Sequence, residues 1–379
     1  MMGRPRLLII SFSDITEDAR VVKQVRFFAD QYQVTTLGYG PSPDSRVEHV
    51  RLDDADGIRR WRRSDLILRR FDKIYWEQGA IRAGLAALSG REPFDVILAN
   101  DIDAVGLALA LKPRHGVHAD IHEYAPKQNE EILVWRVFIA PYVTWMCRRF
   151  LTKAASMTTV GQGLADEYHR EFGVHSGVVT NAAPYATLEP RPVGTPIKLV
   201  HSGASMPNRR LEVLVDSAVA TKTEVVLDLY LMGNNPEYID RLRRRAAGSP
   251  RVRFPAPLPY RDLVNRLNEY DVGLPVNPPT TFSEKWALPN KFFDYVQARL
   301  GVIIGPSPEM RDLLDAHHFG MTADGFDARA ITRALDALTP ERIFTWKKHA
   351  DQAAHDLSAE LQTKVWDAAI DALMKRPAM

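Results

Sequence analysis

Ala287-Leu288-Pro289-Asn290-Lys291-Phe292-Phe293-Asp294-Tyr295-Val296-Gln297-Ala298 lies between two short apolar runs. Before it comes Val272-Gly273-Leu274-Pro275-Val276, a strand-like run broken by proline, and after it Gly301-Val302-Ile303-Ile304-Gly305. Strand, loop, helix and strand in this order form the unit of a parallel sheet covered by helices. Pro289 fits a first helical turn, where a missing N–H costs nothing. A helix starting there aims free backbone N–H groups at the ends of the strands, with Lys291 in its first turn. Such a helix start is an anion site. The same unit also exists in proteins where it binds nothing, so the rest of the chain decides between the two readings.

Working outward, Ile197–His201 reads as a strand, Leu211–Val219 as a helix, and Glu224–Leu231 as a strand ending at Gly233. Tyr238–Ala247 reads as a helix, Val252–Phe254 as a short strand and Leu263–Tyr270 as a helix, with Val272–Val276 and Val302–Ile304 completing a sheet. The first half repeats the pattern. Leu7–Ile10, Val34–Leu37, Val96–Ala99, Ala119–His122 and Met157–Val160 are strand-like, and Val21, Val25 and Phe28 fall at helical spacing. Leu164–Phe172 is the last helix of that half. Between the halves lie Pro184, Pro190, Pro192, Gly194 and Pro196, the best candidate linker. Two doubly wound α/β halves follow, and such sheets bind ligands beyond the carboxyl ends of their strands, here in the cleft between the halves.

At 379 residues the chain is long enough for two domains. With 45% hydrophobic and 25% charged residues it has the balance of a soluble globular protein. A net charge of +2 argues against a dedicated nucleic-acid binder. Cys147 is the single cysteine, so there is no internal disulfide and no cysteine zinc site, which suits a reducing cytoplasm. The apolar run after Met1 is too short for a signal peptide. Ile132–Met146, interrupted by Arg136 and Pro141, falls short of a membrane span. A soluble protein, at most attached to a membrane surface, is expected.

Several local patterns carry chemistry. His201-Ser202-Gly203-Ala204 runs into Asn208-Arg209-Arg210-Leu211, where Gly203 lets backbone approach a ligand and the arginines can neutralise a diphosphate. The plain alternative is an arginine-rich, solvated helix start. Asp120-Ile121-His122-Glu123 ends a strand, a position from which His122 or Glu123 can orient a hydroxyl or share a proton. Asp18, in Thr16-Glu17-Asp18-Ala19-Arg20, sits where it can cap a helix. Asn100-Asp101-Ile102-Asp103 holds an Asp-x-Asp triplet, for which helix capping is the better reading than a metal site, and no metal is expected. Gly161-Gln162-Gly163 lacks the third glycine of a dinucleotide fingerprint. Arg59–Arg70 mixes arginines with Trp61 and Leu66, the pattern of a basic amphipathic helix on a membrane surface or of a solvated basic face.

The Leu-Pro-Asn-Lys helix and the motifs around it closely resemble family 4 glycosyltransferases, retaining enzymes of the GT-B fold. The resemblance runs over nearly the whole chain. It implies a GT-B architecture: an acceptor-side domain over 1–187, a nucleotide-sugar domain over 188–355, and a C-terminal helix over 356–379 that crosses back to the first domain. It makes Gly203, Arg209, Arg210, Glu284, Pro289, Asn290, Lys291 and Asp294 the donor-binding residues, with Asp294 on the ribose hydroxyls. It makes His122 the contact to the donor sugar, with Glu123 beside it as catalytic residues, and puts Asp18 and Arg20 on the acceptor or diphosphate. Two positions depart from the family. Ala204 stands where an Arg is usual, and Trp286 stands at the first Glu of the Glu-x7-Glu motif, with Glu284 the nearby replacement. The implied activity is transfer of a sugar from a nucleotide diphosphate sugar to a glycan or lipid-linked hydroxyl, with no metal and no further cofactor. Members acting on lipid-linked acceptors often carry a basic patch like Arg59–Arg70, which implies a cytoplasmic protein able to meet an anionic membrane face. An epimerase on the same fold and a non-catalytic relative are the rival readings, the second prompted by Ala204 and Trp286.

Overall fold

Apolar runs of the first half become strands β1 (Arg6–Asp14), β2 (Gln33–Tyr39), β3 (Glu48–Arg51), β4 (Val96–Asn100), β5 (Val117–Ile121), β6 (Ser156–Thr159) and β7 (Gly177–Val178). The computed structural model describes residues 4–59 and 61–377, and its chain divides into two units. The first contains residues up to Val179, Thr281–Ser283, and the chain from Thr363 onward. Its sheet runs β3-β2-β1-β4-β5-β6-β7, all parallel. The central strands are buried on both faces, which explains their unbroken Leu/Ile/Val character. Leu7, Ile9, Val21, Val25, Phe28, Val34 and Leu98 form one core layer, and Trp366, Ile370 and Leu373 of helix Ala359–Met374 close it.

The second unit contains Thr180–Thr280 and Glu284–Gln362. Its strands are β8 (Ile197–Ala204), β9 (Val225–Met232), β10 (Val252–Arg253), β11 (Val272–Gly273), β12 (Gly301–Ile304) and β13 (Gly320–Thr322), in the order β10-β9-β8-β11-β12-β13. All pairs are parallel. The order reverses between β8 and β11, so the carboxyl ends of these two strands flank the switch point where such sheets take ligands.

Three local expectations are revised. The strand expected over Val272–Val276 stops at Gly273: Leu274 still donates to Val200, but Pro275 has no N–H to continue the ladder. Pro289 is not the first helical residue but the extended residue capping helix Asn290–Gln297. The continuous basic helix expected over Arg59–Arg70 does not form. Arg59 is left-handed at φ 57, the helix spans only Arg63–Ile67, and Arg69 is left-handed again at φ 51. Trp61 and Phe71 turn inward onto Tyr142, which ties the segment down by packing rather than by helical continuity. Arg60 lies outside the described residues. β3 and β13 went unread in the sequence because they are short and half-exposed, without an apolar run.

Candidate functional site

In the second unit the site is built around the end of β8. Gly203 has φ +139, a conformation side chains rarely adopt, and a Cβ there would lie 3.0 Å from Lys291 Nζ. Glycine thus leaves room for the lysine amine against the strand end. Lys291 Nζ lies 3.2 Å from Nε2 of the fully buried His201, whose Nδ1 is 2.8 Å from the Leu274 carbonyl. A carbonyl can only accept, so Nδ1 carries the proton and Nε2 accepts from the ammonium. Burial, and then the Lys291 charge, hold His201 well below its ordinary pKa, which keeps it neutral in this role. The half-buried Lys291 is itself pushed down to about 7 by burial and then by the Arg209 charge, with Asp294 pulling the other way.

Arg209 closes a short 3-10 turn after Pro207, and Arg210 follows in a left-handed conformation at φ 47. Glu284 holds this loop loosely. Its carboxylate is 3.7 Å from Arg209 Nη1 and 3.4 Å from Asn208 Nδ2, and it accepts shorter bonds from the Thr280 amide at 2.7 Å and hydroxyl at 2.6 Å. Arg210 is exposed and has no side-chain partner among the described residues. Asn290 and Lys291 open helix Asn290–Gln297, and the first amides of a helix have no intrahelical acceptor. Asp294, three residues on, is 3% exposed and accepts from Tyr260 Oη at 3.1 Å. The second unit thus gathers Arg209, Arg210, Lys291 and a helix start with only partial neutralisation. Chemically, such an arrangement can accept a compact polyanion.

In the first unit, Asp120 is fully buried at the end of β5 and is saturated with donors. Arg20 Nε and Nη2 each approach it at 2.7 Å, Gln24 Nε2 at 2.6 Å and Thr158 Oγ1 at 2.7 Å. Burial opposes its ionisation, but the Arg20 fork outweighs burial and holds it well below the usual carboxylate range. His122 lies between two carboxylates, with Nε2 3.4 Å from Asp120 and Nδ1 3.6 Å from Asp101. Burial lowers its pKa, yet the two carboxylates more than offset this and the net shift is upward. Glu123 is exposed, although crowding around its carboxyl, and then Asp101, raise it above the ordinary range.

No family model matches the chain, and no curated protein sequence matches it. Solved structures do. HepE of Anabaena in complex with UDP superposes with a TM-score of 0.71 at 10% identity, over 97% of this chain and 100% of that one. A glycosyltransferase from Rickettsia africae gives 0.71 at 11% identity over 99% and 100%. Sucrose-phosphate synthase from Thermosynechococcus elongatus gives 0.69 at 14% identity over 97% and 100%. The chain has the GT-B fold.

Within this GT-B chain the expected site residues divide. Gly203, Arg209, Lys291 and Asp294 gather in the second unit with Arg210, Asn290 and Glu284 along the same loop and helix start. Trp286 carries Lys285 over its ring at 5.4 Å. In the first unit two expectations are corrected. Arg20 is not turned outward to a ligand: its fork goes to Asp120, Nη1 donates to the Val179 carbonyl at 2.8 Å, and the guanidinium covers Trp366. Asp18 caps helix Ala19–Phe28, accepting from the Arg20 and Val21 amides, so its oxygens serve the backbone. The Asp101–Asp103 triplet, by contrast, does not cap its helix. Asp101, left-handed at φ 62, accepts the His122 amide, and buried Asp103 pairs with Arg59 at 2.8 Å. The sequence reading gave no role to His201, Asp120 or Tyr260, which contact Lys291, His122 and Asp294 respectively. His201 left a signal, a polar side chain directly after Leu199-Val200 in a strand-like run.

Proposed function

We propose that the chain is a retaining glycosyltransferase of family 4, moving a sugar from a nucleoside diphosphate sugar to a hydroxyl of a glycan or lipid-linked acceptor. The observation that carries this reading is the Gly203–Lys291–His201 arrangement beside Arg209 and Arg210, at the switch point of the second sheet. UDP and UDP-glucose in the HepE structures agree with it. In the reaction the bond between the anomeric carbon and the diphosphate oxygen breaks. The acceptor oxygen forms the new bond on the same face of the sugar, and its proton passes to the departing diphosphate.

The protein's share is to hold and neutralise. Lys291, Arg209 and Arg210, with the amides of Asn290 and Lys291, take the charge that builds on the diphosphate. These cations make a divalent metal unnecessary, so turnover persists in excess EDTA. Asp294, steadied by Tyr260, accepts from the ribose hydroxyls, and Glu284 keeps the Arg209 loop in place. His122, oriented by Asp120 and Asp101, meets the donor sugar, with Glu123 beside it. The lone, buried Cys147 fits a cytoplasmic enzyme. Incubation with candidate nucleoside diphosphate sugars and analysis of released nucleotide and product tests this reading. Donor-dependent release of nucleoside diphosphate with an α-linked product from an α-linked donor supports it. An inverted linkage, or a rearranged sugar released without acceptor, contradicts it.

A further inference from the structure

A groove of about 800 Å³ opens on the first unit, where the chain leads into helix Arg63–Ile67. Its volume is that of a site for a small organic molecule. The lining is mostly polar, with Arg59, Arg62, Arg82 and Glu77 around Trp61 and Ile74. Arg62 and Arg82 are exposed and have no side-chain partner among the described residues. The lining carboxylates are engaged elsewhere: Asp65 by Arg70 and Lys73, each at 3.4 Å, and Glu77 by Lys73 at 3.9 Å. Two guanidiniums of the groove therefore remain for an anion, and their forks match a carboxylate or a phosphate. An acyl chain is a poor occupant, because only Trp61 and the buried Ile74 offer it apolar surface.

The wall of the groove is built, not loose. Arg59 is left-handed at φ 57, and its amide donates to Gln78 Oε1 at 2.5 Å. Its guanidinium donates to Asp103 at 2.8 Å and to Gln128 Oε1 at 2.9 Å. A residue with a side chain keeps such a backbone only where its surroundings impose it, and such residues concentrate at ligand sites. Trp61 is braced edge-on by Tyr142 at 5.6 Å and stays partly exposed. An indole face beside guanidiniums suits a pyranose ring, whose C–H face packs on the aromatic while its hydroxyls and acid group turn to the polar lining. Arg59 also ties the groove to the surroundings of His122 and Glu123. Gln128 lies against the Glu123 carboxylate, and Asp103 stands in the first turn of helix Asp101–Ala110, whose Asp101 accepts the His122 amide.

We propose that this groove binds an acidic saccharide, with Trp61 under a sugar ring and Arg62 and Arg82 on its carboxylate or phosphate. Only the saccharide's role as acceptor rests on the glycosyl-transfer reading. The full chain is titrated calorimetrically with trigalacturonate, with its methyl ester and with glucose 6-phosphate. Trigalacturonate binds, less tightly as salt rises, and the ester, the same skeleton without charge, binds about tenfold more weakly or less. Arg62→Gln with Arg82→Gln weakens the acid about tenfold and leaves the ester unchanged. Trp61→Leu weakens acid and ester alike, by about fivefold. Melting curves of the variants report that the fold is intact, and the comparison of acid with ester needs the wild type alone. Binding of glucose 6-phosphate instead, lost in the arginine pair, supports the proposal with phosphate as the acid. Binding of neither anion overturns it, as does an ester that matches the acid or an arginine pair that binds as wild type does. UDP titration of the wild type separates the two readings. UDP binding without either anion overturns the groove and leaves the donor site standing, whereas anion binding without UDP keeps the groove and sinks the glycosyl-transfer reading.

Discussion

The first unit sets one arginine against a strand end and the second sets three cations there, and the two units treat this charge in opposite ways. In the first, the Arg20 fork is matched bond for bond by Asp120, and Gln24 and Thr158 fill the remaining acceptor positions. Nothing is left over for a ligand. In the second, Lys291 rests against a neutral histidine, Arg210 has no partner among the described residues, and Arg209 has only a carboxylate at 3.7 Å. A depressed lysine beside two arginines is unfavourable for the unliganded protein and favourable once a polyanion arrives. Saturated charge marks scaffold; unsaturated charge marks a site.

The largest effect tests the scaffold side. Asp120→Ala removes the carboxylate that pairs with the buried Arg20 guanidinium and is expected to destabilise the first unit by about 3–5 kcal/mol. Urea unfolding of wild type and variant measures it. A loss below about 1 kcal/mol would mean Arg20 finds water or another acceptor, and the contrast between clusters would weaken. The site side is expected to respond in the reverse sense. Lys291→Ala should weaken nucleoside diphosphate binding by about 1.5–3 kcal/mol, the scale of a charge-assisted hydrogen bond. It should also raise, not lower, the melting temperature of the unliganded protein at pH 7. Calorimetry reads both quantities, and a variant that melts earlier would place Lys291 with the scaffold.

A smaller effect follows from pH. The folded pKa of Lys291, about 7, is below that of a free lysine, so the unfolded chain binds the extra proton between those values. The group therefore costs stability below the free value, most fully below about 7, and its penalty fades as pH rises from about 7 toward 10.4. A bound diphosphate restores the proton. Affinity should thus fall about tenfold between pH 7 and pH 8.5, with close to one proton taken up per ligand bound at the upper end. Titrations in buffers of different ionisation heat count that proton. A flat profile in wild type, identical to that of Lys291→Ala, would show that the amine keeps its charge throughout.

The sequence made the parallel strands legible because they are buried on both faces and read as unbroken apolar runs; β1, β4, β8 and β9 fall where Leu7–Ile10, Val96–Ala99, Ile197–His201 and Glu224–Leu231 place them. The loop and helix of the second unit's candidate site were legible as elements from Gly203 and from Pro289 to Asp294, since glycine favours a sharp turn at a strand end and proline a helix start. Long-range pairing was not. Arg20 and Asp120 are 100 residues apart and Arg59 and Asp103 are 44 apart, and no local pattern says which arginine is already spent. The break at Arg59–Arg70 has the same origin: Asp103, Gln78 and Tyr142 override a segment that reads locally as a helix. The role of His201 depends on Leu274 and Lys291 arriving from distant turns.

The central claim is that the unsaturated cations of the second unit receive a nucleoside diphosphate without help from a metal. Isothermal titration of the wild-type chain with UDP, ADP and GDP in EDTA addresses it directly. The account predicts one-to-one binding of at least one of them, weakened at least tenfold in Lys291→Ala and weakened as salt rises. Folded wild-type protein that binds none of the three, or binds only once Mg²⁺ is supplied, would contradict it.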